Sequence, residues 1–277
     1  MKLLDVTAIQ RGCVYDGSGV RTTIFFKGCI FSCPWCCNPE TLFTSPCYFI
    51  DNRRCLKMNG IESPLCQDCE RNKGHQPITL CPFKVCEPTS KSMTIDQLIT
   101  EVLKDKKLLT SSKGGVTLSG GDPLIHLQAL YPFLLKLKEE GINCGIETSL
   151  YFEELLSLQH IIPYINEWII DIKLQEETYV SNYISILQRN IDLLRANNIN
   201  MHFRIVCIET INIKNVINKL KELQISHIEV LKCHSLAKSK YDKLGLPFYD
   251  YTPSESKYKD FINELNKHDF HTDNISV

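Results

Sequence analysis

The sequence predicts an α/β protein whose core is a partial (β/α)6 TIM-like barrel, with a cysteine-rich insert after the first strand. Six short apolar segments have the length of β-strands, and longer segments with helical spacing separate them. Repeated right-handed βα crossovers require a mainly parallel sheet, and six units are fewer than the eight that close a barrel. An open doubly wound sheet is the alternative that this pattern leaves open.

The predicted elements alternate regularly along the chain. The strands cover residues 22–27, 115–119, 143–148, 167–171, 201–206 and 227–231. The helices cover residues 94–109, 124–140, 178–197 and 212–223, and a final helix covers 254–267. Apart from the strand at 167–171, each strand after the first follows a predicted helix, which is the order of a parallel βα sheet.

Unusual residues stand at or near the carboxyl ends of the predicted strands. In chain order they are Cys29, residues 119–123, Glu147, Thr148, Asp171, Lys173, Arg204 and His234. Functional groups of parallel βα folds gather where the strands end, because those ends meet at one edge of the sheet. One rim is therefore expected to collect these side chains.

The composition is that of a globular protein with a local, rather than a surface-wide, binding site. The chain has 277 residues, of which 43% are hydrophobic, and a formal net charge of -1 from 31 basic and 32 acidic residues. That balance favours neither nucleic acid nor an anionic membrane as a partner. The first twelve residues are interrupted by Asp5 and Arg11 before an apolar run of signal-peptide length forms. A cytoplasmic location is therefore predicted.

The fourteen cysteines are concentrated in the first third of the chain. A secreted disulfide scaffold is the alternative, but such scaffolds are usually short and lack a large core. Reduced thiols that hold metal are the better interpretation. We divide the chain into a barrel, residues 1–40 and 93–277, and an insert, residues 41–92, because the latter is rich in cysteine and proline and has little apolar periodicity.

Cys29, Cys33 and Cys36 place three thiols within eight residues. Thiolates at such short separations converge on one soft metal centre. A site with three protein ligands leaves one coordination position for a substrate, which is the logic that separates catalytic from structural zinc sites. The alternative is a zinc knuckle completed by a neighbour such as Cys37.

With these motifs in order, the chain resembles the radical S-adenosylmethionine enzymes. Within them it is most similar to the glycyl-radical enzyme activating enzymes, typified by pyruvate formate-lyase activating enzyme. The resemblance extends nearly end to end. Its motifs are Asp-Gly-Ser-Gly-Val-Arg at 16–21, the cysteine triplet with Asn-Pro-Glu at 38–40, Ser-Gly-Gly-Asp-Pro at 119–123, Asp-Ile-Lys at 171–173, and His234 with Lys240 and Tyr241.

The resemblance implies a cofactor set and a reaction. A [4Fe-4S] cluster held by Cys29, Cys33 and Cys36 would bind S-adenosylmethionine and, once reduced, cleave it to a 5′-deoxyadenosyl radical. That radical would remove a Cα hydrogen from a glycine of a partner glycyl-radical enzyme. The electron donor would be a flavodoxin or a ferredoxin. The cofactors supply this chemistry, while the protein orients them and excludes competing reactions.

The resemblance also assigns roles to individual residues. Asp16, Arg21 and Lys173 are expected to act in catalysis or at the path of the partner's glycine loop. The expected cofactor-binding residues are Trp35, Cys37, Asn38, Ser119, Gly120, Gly121, Asp122, Glu147, Thr148, Asp171, Lys173, Arg204 and His234. Glu147, Thr148 and Asp171 resemble the oxygen ligands of a monovalent cation, a ligand type that suits a hard ion. This chain departs from the family at Ser18, Asp122 and Glu147, where proline, glutamate and aspartate are usual.

Each of these residues also has a simpler structural interpretation. Gly120 and Gly121 could form an ordinary turn, although glycines at a strand end also allow a ligand to approach the backbone. Asp171 and Lys173 could be a surface ion pair, and Arg204 a paired or solvated cation. His234 could be a structural histidine.

The insert has six cysteines, whereas related inserts with two four-iron clusters require eight. We expect one auxiliary [4Fe-4S] cluster, whose ligands are Cys55, Cys66, Cys69 and Cys81. Cys47 and Cys86 are candidate substitutes for one of these ligands. A zinc site on the same ligands and a decayed insert are the alternatives.

Two other functions remain open from the sequence. The first is a radical S-adenosylmethionine enzyme that acts on a small molecule or a peptide. The second is a zinc-stabilised binding protein without redox chemistry.

Overall fold

The computed structural model describes residues 3–66, 81–175, 178 and 180–275. Within them the strands are β1 Leu4–Cys13, β2 Arg21–Phe26, β3 Tyr48–Ile50, β4 Cys86–Pro88, β5 Lys91–Met93, β6 Gly115–Gly120, β7 Asn143–Thr148, β8 Glu167–Asp171, β9 Met201–Cys207, β10 His227–Lys232 and β11 His271–Ile275. The helices are α1 Ile95–Leu103, α2 Lys106–Ser111, α3 Leu127–Glu139, α4 Leu155–Ile161, α5 Tyr183–Ala196, α6 Ile213–Glu222, α7 Lys238–Leu244 and α8 Glu255–Lys267.

The described strands form one large sheet in the order β11-β10-β9-β8-β7-β6-β2-β1-β5, with β3 and β4 in a separate antiparallel pair. Strands β2 and β6 to β11 run parallel to one another, whereas β1 is antiparallel to β2 and to β5. The six predicted strands correspond to β2 and β6 to β10. From β2 onward the strands follow chain order without a reversal, which distinguishes this sheet from a doubly wound one. The predicted α/β class is confirmed.

Contacts across the mouth of the sheet show that it curls. Strand β10 lies five strand spacings from β2, which would be roughly 24 Å in a flat sheet. Yet the Tyr241 hydroxyl, in the helix that follows β10, lies 3.1 Å from the Cys36 carbonyl oxygen in the loop that follows β2. Arg204 of β9 likewise donates to the Tyr15 carbonyl, just before β2, at 2.5 Å. These contacts fit a partial barrel.

The register places apolar side chains on one face of the parallel strands and polar ones on the other. Ile24 pairs with Leu118, and Ile146 pairs with Trp168, and all four are at most 1% exposed. The alternate positions carry Thr23, Thr117, Ser119, Glu147, Glu167, Asp171, Arg204 and Glu229. Because side chains alternate along a strand, this polar face is a continuous surface inside the curl.

The sequence pattern misses the strands β1, β3, β4, β5 and β11 and the short helices α4 and α7. Strand β1 is an antiparallel partner of β2 and alternates only over its first residues, where Leu4 and Val6 are buried. Strand β5 has three residues, too few for a period to be read. The predicted helix 94–109 is divided into α1 and α2, and the predicted helix 178–197 begins only at Tyr183.

The division between barrel and insert stays a prediction. The short sheet of β3 and β4 lies within the predicted insert, and β3 contacts α7. The last residues of that segment, Lys91 and Ser92, pair with β1 and so join the large sheet. Among the described residues, no helix combines the length and the apolar character needed to cross a bilayer.

Candidate active site

The loop after β2 brings the three predicted ligand thiols to one place. Cys33 is buried, Cys29 and Cys36 are half-buried, and the Cys36 amide donates to the Cys33 carbonyl at 3.0 Å. Burial, reinforced by the charge of Asp122, raises the pKa of Cys29 to about 12. Burial also raises the pKa values of Cys33 and Cys36, and that of Cys36 is raised further by its thiol neighbours. The thiols therefore carry protons until a metal displaces them.

The three thiols are neighbours, but they are not close enough together to form a metal site. In the part of the chain that the structure describes, no three His, Cys, Asp or Glu side chains lie close enough together to hold a metal ion. The donor set nevertheless suits an iron-sulfur cluster, because it consists of three soft thiols in a buried loop. The identity of these donors as cluster ligands stays a prediction.

Lys173 places a positive charge beside the thiols. Its ammonium lies 2.5 Å from Asp171 Oδ2. Burial disfavours the ammonium, but the charge of Asp171, together with the thiolate forms of Cys33 and Cys29, outweighs it and raises the pKa of Lys173 well above its ordinary value. A charged lysine next to a cluster of thiols offsets the negative charge that they acquire when they bind metal.

The carboxylate of Asp171 is only half satisfied. Its Oδ2 is taken by Lys173, whereas Oδ1 is buried and has no hydrogen-bond partner among the described residues. A buried acceptor without a donor is costly unless something else satisfies it. An S-adenosylmethionine hydroxyl or a monovalent cation would do so, and the residue therefore fits the cofactor site that the sequence predicts.

Gly120 and Gly121 are required by the protein's own backbone. A Cβ on Gly121 would lie 1.9 Å from the Gly28 carbonyl oxygen, and one on Gly120, whose φ is +111°, would lie 2.3 Å from the Phe26 amide nitrogen. The sequence suggests a ligand approaching this strand end. In the structure, the backbone at the end of β2 and just after it already lies against these two glycines.

We expect Gly121→Ala to destabilise the protein by about 3 kcal/mol or more, because its methyl group would meet backbone and not a flexible side chain. Gly245→Ala is the control. Gly245 has φ of +68° and open space around it, so alanine there costs only about 1–2 kcal/mol of backbone strain. Urea unfolding measures both free energies, and a Gly121→Ala loss no larger than the Gly245→Ala loss would contradict the steric explanation.

Asp122 fastens the end of β6 to the end of β7. Its carboxylate accepts from the Thr148 hydroxyl at 2.7 Å, from the Ser149 amide at 3.0 Å and hydroxyl at 2.5 Å, and from the Leu124 amide at 3.1 Å. Burial raises the pKa of Asp122, and these hydrogen bonds oppose that shift. Both carboxylate oxygens therefore have partners within the chain. A direct contact of Asp122 or Thr148 with a cofactor stays a prediction.

Arg204 joins three strands through the polar face. It donates to Glu229 at 2.6 Å and to Glu147 at 3.2 Å, while Glu147 also accepts from the Ser119 hydroxyl at 2.6 Å. Arg204 is 6% exposed, and the two carboxylates that it contacts are partly exposed. Burial opposes its charge, but Glu147 and Glu229 raise its pKa. Glu229 was not predicted from the sequence, although it is a charged residue within an apolar strand, as Arg204 is.

Asp16 and Arg21 lie at the opposite end of the sheet from the thiols. Arg21 is 1% exposed and donates to the Thr117 hydroxyl at 3.0 Å and to the Val116 carbonyl at 2.9 Å. Asp16 accepts from the Thr23 hydroxyl at 2.6 Å. Arg21 begins β2, so these residues occupy the amino ends of the strands. Asp16 and Arg21 were not among the residues expected at the rim of carboxyl strand ends, and they lie away from it.

Glu167 completes that amino-end group and was also missed. It lies 3.6 Å from Arg21 and accepts from the Ser18 amide at 3.0 Å. Burial would raise the pKa of Glu167, but the hydrogen bonds from Ser18 and the charge of Arg21 lower it overall. The signal that could have revealed Glu167 is its charge, because it opens a strand whose next three residues are apolar.

Of the remaining predicted cofactor residues, Trp35, Cys37 and Asn38 lie in the cysteine loop itself, and His234 lies just after β10. Trp35 is 8% exposed and packs edge-on against Tyr251, with ring centroids 5.6 Å apart. Cys37 is exposed, and Asn38 accepts from Lys240 at 2.9 Å. Among the described residues, the His234 side chain has only a local hydrogen bond: its Nδ1 accepts from the Leu236 amide at 3.4 Å. Their cofactor roles stay predictions.

The predicted auxiliary site is described only in part. Cys55, Cys66 and Cys81 are half-buried, whereas Cys69 lies outside the described residues. The substitute ligand Cys47 lies 2.8 Å from the Lys27 ammonium. The auxiliary ligand set therefore stays a prediction.

Comparison with known proteins decides the family. The model of a 4Fe-4S single cluster domain matches residues 15–190. The 4-hydroxyphenylacetate decarboxylase activating enzyme of Clostridium scatologenes is 30% identical, over 94% of this chain and 91% of that protein. The pyruvate formate-lyase 2-activating enzyme of Escherichia coli (strain K12) is 31% identical, over 86% and 80%. The trans-4-hydroxy-L-proline dehydratase activating enzyme of Clostridioides difficile is 26% identical, over 96% and 97%. The chain belongs to the glycyl-radical enzyme activating enzymes.

The matched domain of this activating enzyme contains the thiol triplet and the predicted site as far as Lys173, while Arg204 and His234 lie beyond it. The predicted family and the [4Fe-4S] enzyme class are confirmed. A zinc-stabilised binding protein without redox chemistry is thereby disfavoured.

Proposed function

We propose that this activating enzyme cleaves S-adenosylmethionine reductively and installs a glycyl radical on a partner enzyme. Cys29, Cys33 and Cys36 would hold the [4Fe-4S] cluster. When bound, the reduced cluster supplies the electron that splits S-adenosylmethionine into methionine and a 5′-deoxyadenosyl radical. The observation that carries the proposal is the buried thiol loop beside Lys173 and the unpaired oxygen of Asp171.

Each protein group has a defined task in this proposal. The thiols release protons as they bind, and Lys173 offsets the charge that remains. Asp171 holds Lys173 with one oxygen and accepts a hydrogen bond from the nucleoside, or binds a monovalent cation, with the other. Asp122 keeps the ends of β6 and β7 together, so the strand ends that face the cofactor are rigid.

The polar inner face suits a peptide as the hydrogen donor. It runs from Glu167 and Arg21 at the amino ends of the strands to Asp171 near the thiols. An extended glycine segment has no side chain at the reacting carbon, so it can lie close to such a wall. Asp16 and Arg21 would border the entry of that segment, since they lie at the end of the sheet opposite to the thiols.

The electron donor that we propose is a flavodoxin or a ferredoxin. Ile30, directly after Cys29, is 48% exposed, so the cysteine loop can be approached from outside. An auxiliary cluster in the insert, a monovalent cation at Glu147, Thr148 and Asp171, and a cytoplasmic location complete the proposal.

Radical transfer is tested with the anaerobically reconstituted, reduced protein and S-adenosylmethionine. The partner panel consists of the enzymes that the relatives activate: 4-hydroxyphenylacetate decarboxylase, pyruvate formate-lyase 2 and trans-4-hydroxy-L-proline dehydratase. We expect 5′-deoxyadenosine and, with a cognate partner, the glycine-centred doublet in electron paramagnetic resonance. A partner variant with alanine in place of the radical glycine is the control and should give no doublet.

Two outcomes favour the other functions. Formation of 5′-deoxyadenosine without a glycine-centred signal from any enzyme of this panel, or from a glycyl-radical enzyme encoded beside this chain when it is added to the panel, would favour a small-molecule or peptide substrate. A colourless, iron-free protein after anaerobic reconstitution would overturn the cluster assignment itself.

A further inference from the structure

Helix α7 reaches across the mouth of the partial barrel and contacts the cysteine loop. Tyr241 is 4% exposed, and its hydroxyl lies 3.1 Å from the Cys36 carbonyl oxygen and 3.2 Å from that of Pro34. These two carbonyls lie on either side of Trp35, between the ligands Cys33 and Cys36. One phenol is thus hydrogen-bonded to the stretch that sets the direction of both thiols.

Lys240 holds the continuation of the same loop. Its ammonium lies 2.6 Å from Glu40 Oε1, 2.9 Å from Asn38 Oδ1 and 3.3 Å from the Cys37 carbonyl oxygen. Glu40 is 8% exposed, and its second oxygen has no partner among the described residues. Lys240 therefore compensates a buried carboxylate that would otherwise be isolated.

The position of these two residues in the chain makes the contact informative. About two hundred residues separate α7 from the loop, and the contact forms only because the sheet curls. Local hydrogen bonds already hold the loop's turn, as that from the Cys36 amide to the Cys33 carbonyl shows. The contacts from α7 are an additional restraint, applied from outside the loop.

We propose that Lys240 and Tyr241 are positioning residues for the cluster. They hold the backbone on both sides of Cys36 and so direct its thiol and that of Cys33 toward the metal. Groups that orient metal ligands through hydrogen bonds tune the affinity and the electronic properties of the site. This inference rests on the proposed function, because it takes Cys33 and Cys36 as cluster ligands.

Tyr241→Phe tests the inference with the smallest change. It removes one hydroxyl and keeps the ring, which packs against Phe248 with centroids 5.5 Å apart. The matched control is Tyr258→Phe in helix α8. The Tyr258 hydroxyl also contacts a carbonyl, that of Val230 in β10, at 3.4 Å. Both variants and the parent are reconstituted anaerobically to equal iron content.

We expect Tyr241→Phe to release iron to a ferrous chelator about tenfold faster than the parent, and to change the resonance spectrum of the reduced cluster. Tyr258→Phe should match the parent in both measurements. The thermal midpoints of the two metal-free variants should agree. Parent-like iron release and spectrum in Tyr241→Phe would overturn the inference, as would a fall in the metal-free midpoint with both cluster measurements unchanged.

Lys240 provides a second test. Lys240→Met should accelerate iron release, and Lys240→Arg should restore part of the parent behaviour, because it keeps the charge near Glu40. Equal behaviour of the two variants would contradict the positioning role of this ammonium. Failure of the cluster assignment on which this inference rests is distinguishable, since the parent itself would then form no [4Fe-4S] signal.

Discussion

Cys33→Ala is expected to abolish cluster binding and, with it, the production of 5′-deoxyadenosine. Cys33 is buried and stands between the other two predicted ligands in the sequence; burial raises the pKa values of Cys29 and Cys36, and the thiolate form of Cys33 would raise them further. Two thiols cannot hold a four-iron cluster with one open iron, because that site needs three. Iron and sulfide content, the reduced-state resonance spectrum and 5′-deoxyadenosine formation all measure this loss.

The control for Cys33→Ala is Cys207→Ala. Cys207 is a fully buried thiol at the end of β9, so its removal deletes the same atom from the core without touching the loop. We expect this variant to retain its iron and its activity. Circular dichroism should show that both variants are folded. Retention of 5′-deoxyadenosine formation by Cys33→Ala would refute the assignment of this ligand.

Arg204→Met is expected to cause the largest loss of folding stability, about 3–5 kcal/mol. Arg204 is buried and neutralises Glu147 and Glu229 while it donates to the Tyr15 carbonyl. Methionine keeps most of the volume but leaves both carboxylates without their common cation. A loss of this size lowers the thermal midpoint of a domain by roughly 6–20 °C. Urea unfolding followed by circular dichroism gives the free energy.

Two further variants test whether the stability loss of Arg204→Met comes from its ion pairs. Arg53→Met removes an arginine that is mostly exposed and paired with Asp51, so it should change stability little. Adding Glu229→Gln to Arg204→Met should recover part of the loss, because it removes one of the two isolated charges. An Arg204→Met protein as stable as Arg53→Met would show that the ion pairs contribute nothing measurable.

The strands of the barrel were predictable because burial on one face imposes a regular pattern. Ile24, Leu118 and Ile146 lie on the helix-covered face, and the polar residues between them lie inside the curl. Strand β1 was not predictable in the same way. It is antiparallel and mostly solvent-accessible beyond its first residues, so its sequence is not constrained to a clear period.

The contacts of the predicted site residues were harder to foresee than their places. Asp122 stands at the strand end where the sequence puts it, yet its carboxylate is bound by Thr148 and Ser149. Arg21 was expected near a docking surface and is buried against Thr117. A side chain's partners depend on which strands are neighbours and how the sheet curves, and neither is encoded by a local motif.

The sequence by itself determined the thiol triplet, the order of the parallel strands and the family, because each depends on residues close together in the chain or on a regular period. Only the tertiary structure decided that Arg204 reaches the Tyr15 carbonyl, and that Lys240 and Tyr241 contact the cysteine loop. The physical reason is that these relations follow from the curl of the sheet, which brings together residues that are remote in the chain.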